Sequence, residues 1–152
     1  MDLLFFCSVL WLSFVFAKLE IAIEGRYGWA ENLPTWRLPA GHWLSRCVFG
    51  GKPATGYHTW MELTVLTMLH LPYLYVFPTV AIEAHILAFF CFFSIAEDFL
   101  WFALNPAFGI ANFRASRIWW HRSNWWIFAP RDYFVLLAIG AALFAYANTT
   151  VN

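Results

Sequence analysis

Seven side chains able to act as acids, bases or metal ligands fall at spacings that group them. Glu20 and Glu24 are four residues apart, as are His58 and Glu62, so on helices each pair projects from one face. Glu97 and Asp98 adjoin within SIAEDFLWFALNP, at the end of an otherwise apolar stretch, and His121 stands in RIWWHRSNWWIF. Carboxylates and imidazoles carried by facing helices are how bundle proteins build metal sites. Oxygen and nitrogen donors suit iron, manganese or zinc, whereas copper(I) would want sulfur. On this reading Glu24, His58, Glu62, Glu97 and His121 are metal ligands and Asp98 is a general base. Glu20 on its own reads as a carboxylate reaching the interface beside Lys18, and loop arginines offer the acidic groups ordinary ion pairs as the competing, purely structural account. The Glu-x-x-His pair of di-iron bundles is absent, because Leu100 stands three residues beyond Glu97.

For these groups to meet, the chain must place them at one level. Its 152 residues are 62% hydrophobic and only 12% charged, far from the roughly one-quarter charged composition of soluble domains. The expected fold is therefore an all-α integral membrane protein, a single four-helix transmembrane bundle over residues 1–152. The spans are expected at about 3–23, 58–81, 84–104 and 132–148, each near the ~20 residues that cross a bilayer core. A cleaved signal peptide at 3–23 fits poorly, because only Asp2 precedes a long apolar run and no basic residue does. Pro72 and Pro78 should kink the second span, Asn105-Pro106 should stop the third, and Gly140, Ala141 and Ala142 should let a helix approach the fourth closely.

Orientation follows from the basic residues. Eight of the nine Lys and Arg lie between spans one and two (Arg26, Arg37, Arg46, Lys52) or between spans three and four (Arg114, Arg117, Arg122, Arg131). The positive-inside rule makes both of these long loops cytoplasmic and puts both termini on the opposite side. Their richness in Trp, Pro and Gly predicts aromatic interfacial loops that pack. All seven candidate side chains then lie in one cytoplasmic slab.

Other signals carry less. VFGGKPATGYH fails as a phosphate-binding loop, since Arg46 stands where the first glycine belongs and Pro53 where Ser or Thr is required. Lys52 and Arg114 are nevertheless suited to orient an anionic headgroup. His70, before Pro72, is expected to bond a helix carbonyl; Glu83 and His85 fall on the far side as surface residues, and Asn148-Thr-Thr matches a glycosylation sequon. Cys7, Cys47 and Cys91 form no metal or disulfide pattern, and zero net charge excludes a nucleic-acid binder.

The resulting expectation is an enzyme dependent on a divalent metal and acting on a lipid or other hydrophobic substrate. The rival is an accessory or scaffold subunit bound to a partner membrane subunit or to copies of itself. A proton or ion pathway ranks behind both, because His70 is the lone polar candidate near mid-span.

Overall fold

The computed structural model describes residues 2–150, and these are mostly helical. Five helices follow in order: α1 (Asp2–Glu24), α2 (Trp43–Cys47), α3 (Gly56–Leu69), α4 (Val80–Leu104) and α5 (Arg131–Thr150). A two-residue hairpin, β1 (Trp125–Trp126) and β2 (Ala129–Pro130), precedes α5. Three helices, α1, α4 and α5, are long and apolar enough to cross a membrane. They match the first, third and fourth expected spans, with α4 ending at Leu104, immediately before Asn105-Pro106.

The second expected span is not one helix. α3 has 14 residues, about 21 Å of rise against a hydrocarbon core of about 30 Å. Pro72 enters a 3-10 turn over Leu71–Leu74, and an irregular stretch through Pro78 leads to the Thr79 cap of α4. Proline lacks the amide that would continue the ladder and clashes with the preceding turn, so the helix stops where a kink was expected. Tyr75 and Phe77 in this link are 89% and 86% exposed.

α4 is the central helix, packed along α1 on one side and α5 on the other. Ser13 of α1 donates to the Phe93 carbonyl of α4 across the first contact. At the second, Gly140 is buried so near Cys91 and Phe92 that a side chain there would press on both, the close approach expected of the small residues. The outward faces carry Leu3, Leu10, Trp11, Leu19, Val135 and Leu137 in the open.

Both loops fold onto one end of the helices. The main core lies there: Trp29, Phe49 and Ala54 from the first loop and Ile118 and Trp120 from the last surround Trp101 and Phe102 of α4. An isolated bridge pairs Arg37 with Thr55, and the Asn105 side chain at the end of α4 donates to the Gly25 carbonyl just past α1. The tryptophan pairs divide between two environments, with Trp120 in the core and Trp119, Trp126 and the hairpin tip Ile127-Phe128 exposed.

Candidate metal and substrate site

The site starts from the turn that follows α1. Gly25 and Gly28 take left-handed backbone, and so do Trp29 and Ala30, which coils EGRYGWAEN back over the helix end. Gly28 is held to glycine twice over, by its φ of 67° and by the rings of Trp101 and Trp120 that a Cβ would strike. The coil brings the Ala30 amide to donate to Glu24 Oε1, and the Arg37 guanidinium donates to the carbonyls of Trp29 and Ala30. Trp29 donates to the Pro53 carbonyl and stacks on the His58 ring with centroids 4.0 Å apart.

His58 is positioned by the start of α3. Thr55 is the N-cap, its Oγ1 accepting from the His58 amide at 3.2 Å, and the same oxygen lies 2.7 Å from His58 Nδ1. The tautomer protonated at Nδ1 donates to Thr55 and leaves the Nε2 lone pair pointing at α1. There Glu20 Oε1 is 3.4 Å and Glu24 Oε1 3.6 Å away. The three side chains are 6%, 7% and 2% exposed, and their ligand atoms lie within 4.8 Å of one another, the one such grouping among the described residues. Tetrahedral bonds of about 2.0–2.1 Å separate neighbouring donors by about 3.3–3.4 Å, close to the two histidine–carboxylate distances here. A ligating imidazole usually donates its second N–H to a carboxylate, a backbone carbonyl or water, and here the Thr55 hydroxyl takes that place.

No lysine or arginine among the described residues reaches ion-pairing distance of a carboxylate; the acidic groups pair with histidines instead. The arginine-paired alternative raised by the sequence is therefore not the arrangement found. A burial of this kind calls for a compensating cation or for protons.

The cluster opens into a cavity of about 760 Å³ that also takes in Glu62, Glu97, Asp98 and Lys52. Glu97 Oε1, Glu62 Oε2 and the Trp101 indole nitrogen are buried without hydrogen-bond partners, and all three residues line this cavity. Lys52 Nζ sits 4.5 Å above the Trp29 ring. Asp98 is held from behind: its Oδ2 lies 3.3 Å from His121 Nε2 and accepts from the Tyr133 hydroxyl. Both contacts fall on Oδ2. His121 itself is fully buried outside the cavity lining. Burial, reinforced by the positive charge of Lys52, draws its pKa below the ordinary value, while Asp98 acts in the opposite sense.

Of the residues singled out in the sequence, Glu24 and His58 enter the triad, Glu62, Glu97, Asp98 and Lys52 line the same cavity, and His121 braces Asp98. Arg114 is exposed and outside the cavity, because it closes a turn with Arg117 and Ile118 on the loop surface. Three contributors were not assigned from sequence. Glu20 completes the triad; its four-residue spacing from Glu24 was the signal. Thr55 was readable as a cap three residues before His58, whereas Tyr133, at the start of a span, carried no signal. Arg46 and Arg131 line the cavity in place of Arg114. Neither a protein-family model, nor a curated protein, nor a solved structure matches the chain.

Proposed function

We propose that this is an integral membrane enzyme that uses a divalent metal held by Glu20, Glu24 and His58 to act on a lipid or other hydrophobic substrate. The observation that carries the reading is the buried carboxylate–histidine triad, free of any basic ion-pair partner, on the wall of a mixed polar and apolar cavity. Iron, manganese or zinc suits this donor set. Glu20, Glu24 and His58 would hold such an ion, which would supply Lewis acidity and an activated water.

The chain's own groups divide the remaining work. Asp98, fixed by Tyr133 and His121, is the general base, with Oδ1 as the accepting atom. Glu62 and Glu97 offer the cavity unpartnered oxygens that bind and orient polar parts of the substrate. The Trp29–His58 stack and the coil over Glu24 exclude bulk water from the triad, which strengthens electrostatics inside.

In the membrane, α1, α4 and α5 span, and α3 with the proline-broken link through Pro78 makes a fourth, interrupted crossing. Broken helices at membrane depth are tolerated where they line a cavity, as α3 does here. The distribution of basic residues puts the two long loops, and hence the site, on the cytoplasmic side.

The test is plasma mass spectrometry on detergent-purified wild type, Glu24→Gln and His58→Ala prepared without chelator. Near-stoichiometric iron, manganese or zinc in wild type that is lost in both variants is the expected result. Absence of metal from wild type after supplementation ends the metalloenzyme reading.

A further inference from the structure

The cavity changes character along its length. The triad, Glu62, Glu97 and Asp98 form one polar wall, but the side between α3 and α5 is hydrocarbon: Leu63 and Leu66 from α3 face Val135, Leu136 and Ile139 from α5. α5 packs closely on α4, whereas α3 touches α4 sparingly and scarcely meets α5, so no helix seals that side. Leu63, Val135 and Ile139 both line the cavity and are 46% exposed, which makes them the lips of a lateral opening. Two of the three expose their flanks on α5, a helix long and apolar enough to cross a membrane.

At the loop end the same cavity is lined by Arg46, Lys52 and Arg131. Arg46 and Arg131 are exposed, and none of the three has a carboxylate within ion-pairing distance. The one acidic neighbour on α5, Asp132, is engaged by the Asn124 amide at 2.6 Å. Unpaired cations at headgroup level, hydrocarbon walls toward the bilayer and a reactive cluster between them describe the polarity of an anionic lipid read from head to chain.

Resting on the reading of this cavity as a substrate site, we infer that its ligand is a phosphate-bearing lipid that enters sideways between α3 and α5. Its headgroup is held by Arg46, Lys52 and Arg131, and its chain lies against Leu63, Leu66, Val135, Leu136 and Ile139. The bond next to the headgroup then falls beside Asp98 and the triad.

Native mass spectrometry of the detergent-solubilised full chain, with metal content measured on the same samples, tests this. The probes are phosphatidic acid, phosphatidylcholine and inorganic phosphate. Wild type is expected to retain one phosphatidic acid, to hold phosphatidylcholine far more weakly and not to retain inorganic phosphate. Arg46→Gln and Arg131→Gln should each weaken phosphatidic acid about fivefold. Leu136→Trp, which fills the opening, should abolish lipid retention with metal content unchanged; if it disturbs the metal, Ile139→Trp on the same wall carries the comparison. Equal retention of the two lipids, retention of inorganic phosphate as strong as that of phosphatidic acid, or lipid retention undiminished by a metal-replete opening variant overturns the inference. His58→Ala separates the two readings: it should lose metal and keep lipid. Lipid retained by a wild type that holds no metal would leave this site standing without the metalloenzyme, and metal without lipid would do the reverse.

Discussion

The molecule has two clusters built from the same residue types at opposite ends, and they behave differently. At the far end, His70 on the turn after α3, Tyr73 in the following 3-10 turn and Glu83 on α4 form a network: His70 Nε2 is 3.3 Å from one Glu83 oxygen, Tyr73 donates to the other at 2.7 Å, and His70 Nδ1 meets the Leu66 carbonyl at 2.6 Å. Every polar atom of that histidine and carboxylate has a partner within the cluster, and the side chains are 34% and 40% exposed. At the loop end, Glu20, Glu24 and His58 are almost wholly enclosed, and Glu62 and Glu97 leave buried oxygens unsatisfied. The first arrangement ties the broken segment to α4 and is complete as it stands. The second is incomplete without something more, and buried polar groups that remain unpaired cost about 1–3 kcal/mol each. The difference is one of closure: a cluster whose valences are all filled fastens, and one with open valences facing a cavity has groups free for a ligand.

That contrast breaks most sharply at His58. His58→Ala and Glu24→Gln should abolish stoichiometric metal in elemental analysis, whereas His70→Ala, the same substitution in the closed cluster, should leave metal content unchanged. Loss of metal on His70→Ala alone would mean the two ends are not independent. One step weaker is Thr55→Val, which leaves all three candidate ligands in place but removes the anchor on Nδ1. A 10- to 100-fold drop in metal affinity, on the order seen for partners behind ligating histidines, is expected from titration with a chromophoric chelator. Loss of the cap costs about 1 kcal/mol of helix stability besides, so the readout must be affinity on folded protein.

Smaller again is the effect of Gly28→Ala, which tests whether the coil over Glu24 belongs to the site. The substitution forces a Cβ toward the Trp101 and Trp120 rings at a left-handed φ. The backbone cost alone is about 1–2 kcal/mol. Thermal unfolding in detergent should show the lowered midpoint, and metal affinity should fall with it because the coil also carries the Ala30 amide that holds Glu24. No such coupling is expected for Gly109, which also has positive φ but open space around it.

How much of this could be read from the chain alone divides along physical lines. Apolar runs of span length located α1 and α5 to within two residues at each end and the C-terminal end of α4, whose start lies four residues before the expected one, since length and composition suffice there. Pro72 and Pro78 were visible, but whether a proline kinks a helix or ends it depends on what packs beside it, and α3 has little packed beside it. In the site, helical spacing found the pairs Glu20/Glu24 and His58/Glu62, yet only one member of the second pair joins the triad. Glu62 lies about 6 Å further along α3 than His58, so the level at which α3 meets α1 decides that, and nothing local in the sequence fixes it. Arg114 was drawn in by charge and proximity to span three; it lies on the outer surface because the loop folds Trp120 and Ile118 inward instead.

The pH response separates the two ends next. His121 sits buried against Asp98 and Tyr133 of the spans, under the influence of Lys52 from the first loop and Asp132 from the first turn of α5, with its pKa lowered by burial first and Lys52 second. The unfolded chain takes up a proton near the ordinary value of 6.5 and the folded one only at lower pH. Folded His121 therefore binds fewer protons, and its own contribution to stability falls as pH drops below about 6.5, levelling once the lower native value is passed. The stability difference between wild type and His121→Gln, read from unfolding curves, should therefore move against wild type as pH falls from about 7.5 to 5.

The smallest effect belongs to the closed cluster itself. Glu83→Gln keeps the volume and still offers an oxygen to Tyr73, but weakens a contact whose partners are more than a third exposed. Exposed pairs of this kind contribute under about 1 kcal/mol and are screened by salt. Unfolding midpoints of wild type and Glu83→Gln should therefore differ slightly at low salt and converge at high salt, with metal content the same in both. A large, salt-independent loss would show that His70, Tyr73 and Glu83 hold the broken segment against the bilayer in a way the open end of the molecule does not need, and the distinction between fastening and binding clusters would have to be drawn by depth in the membrane instead of by closure.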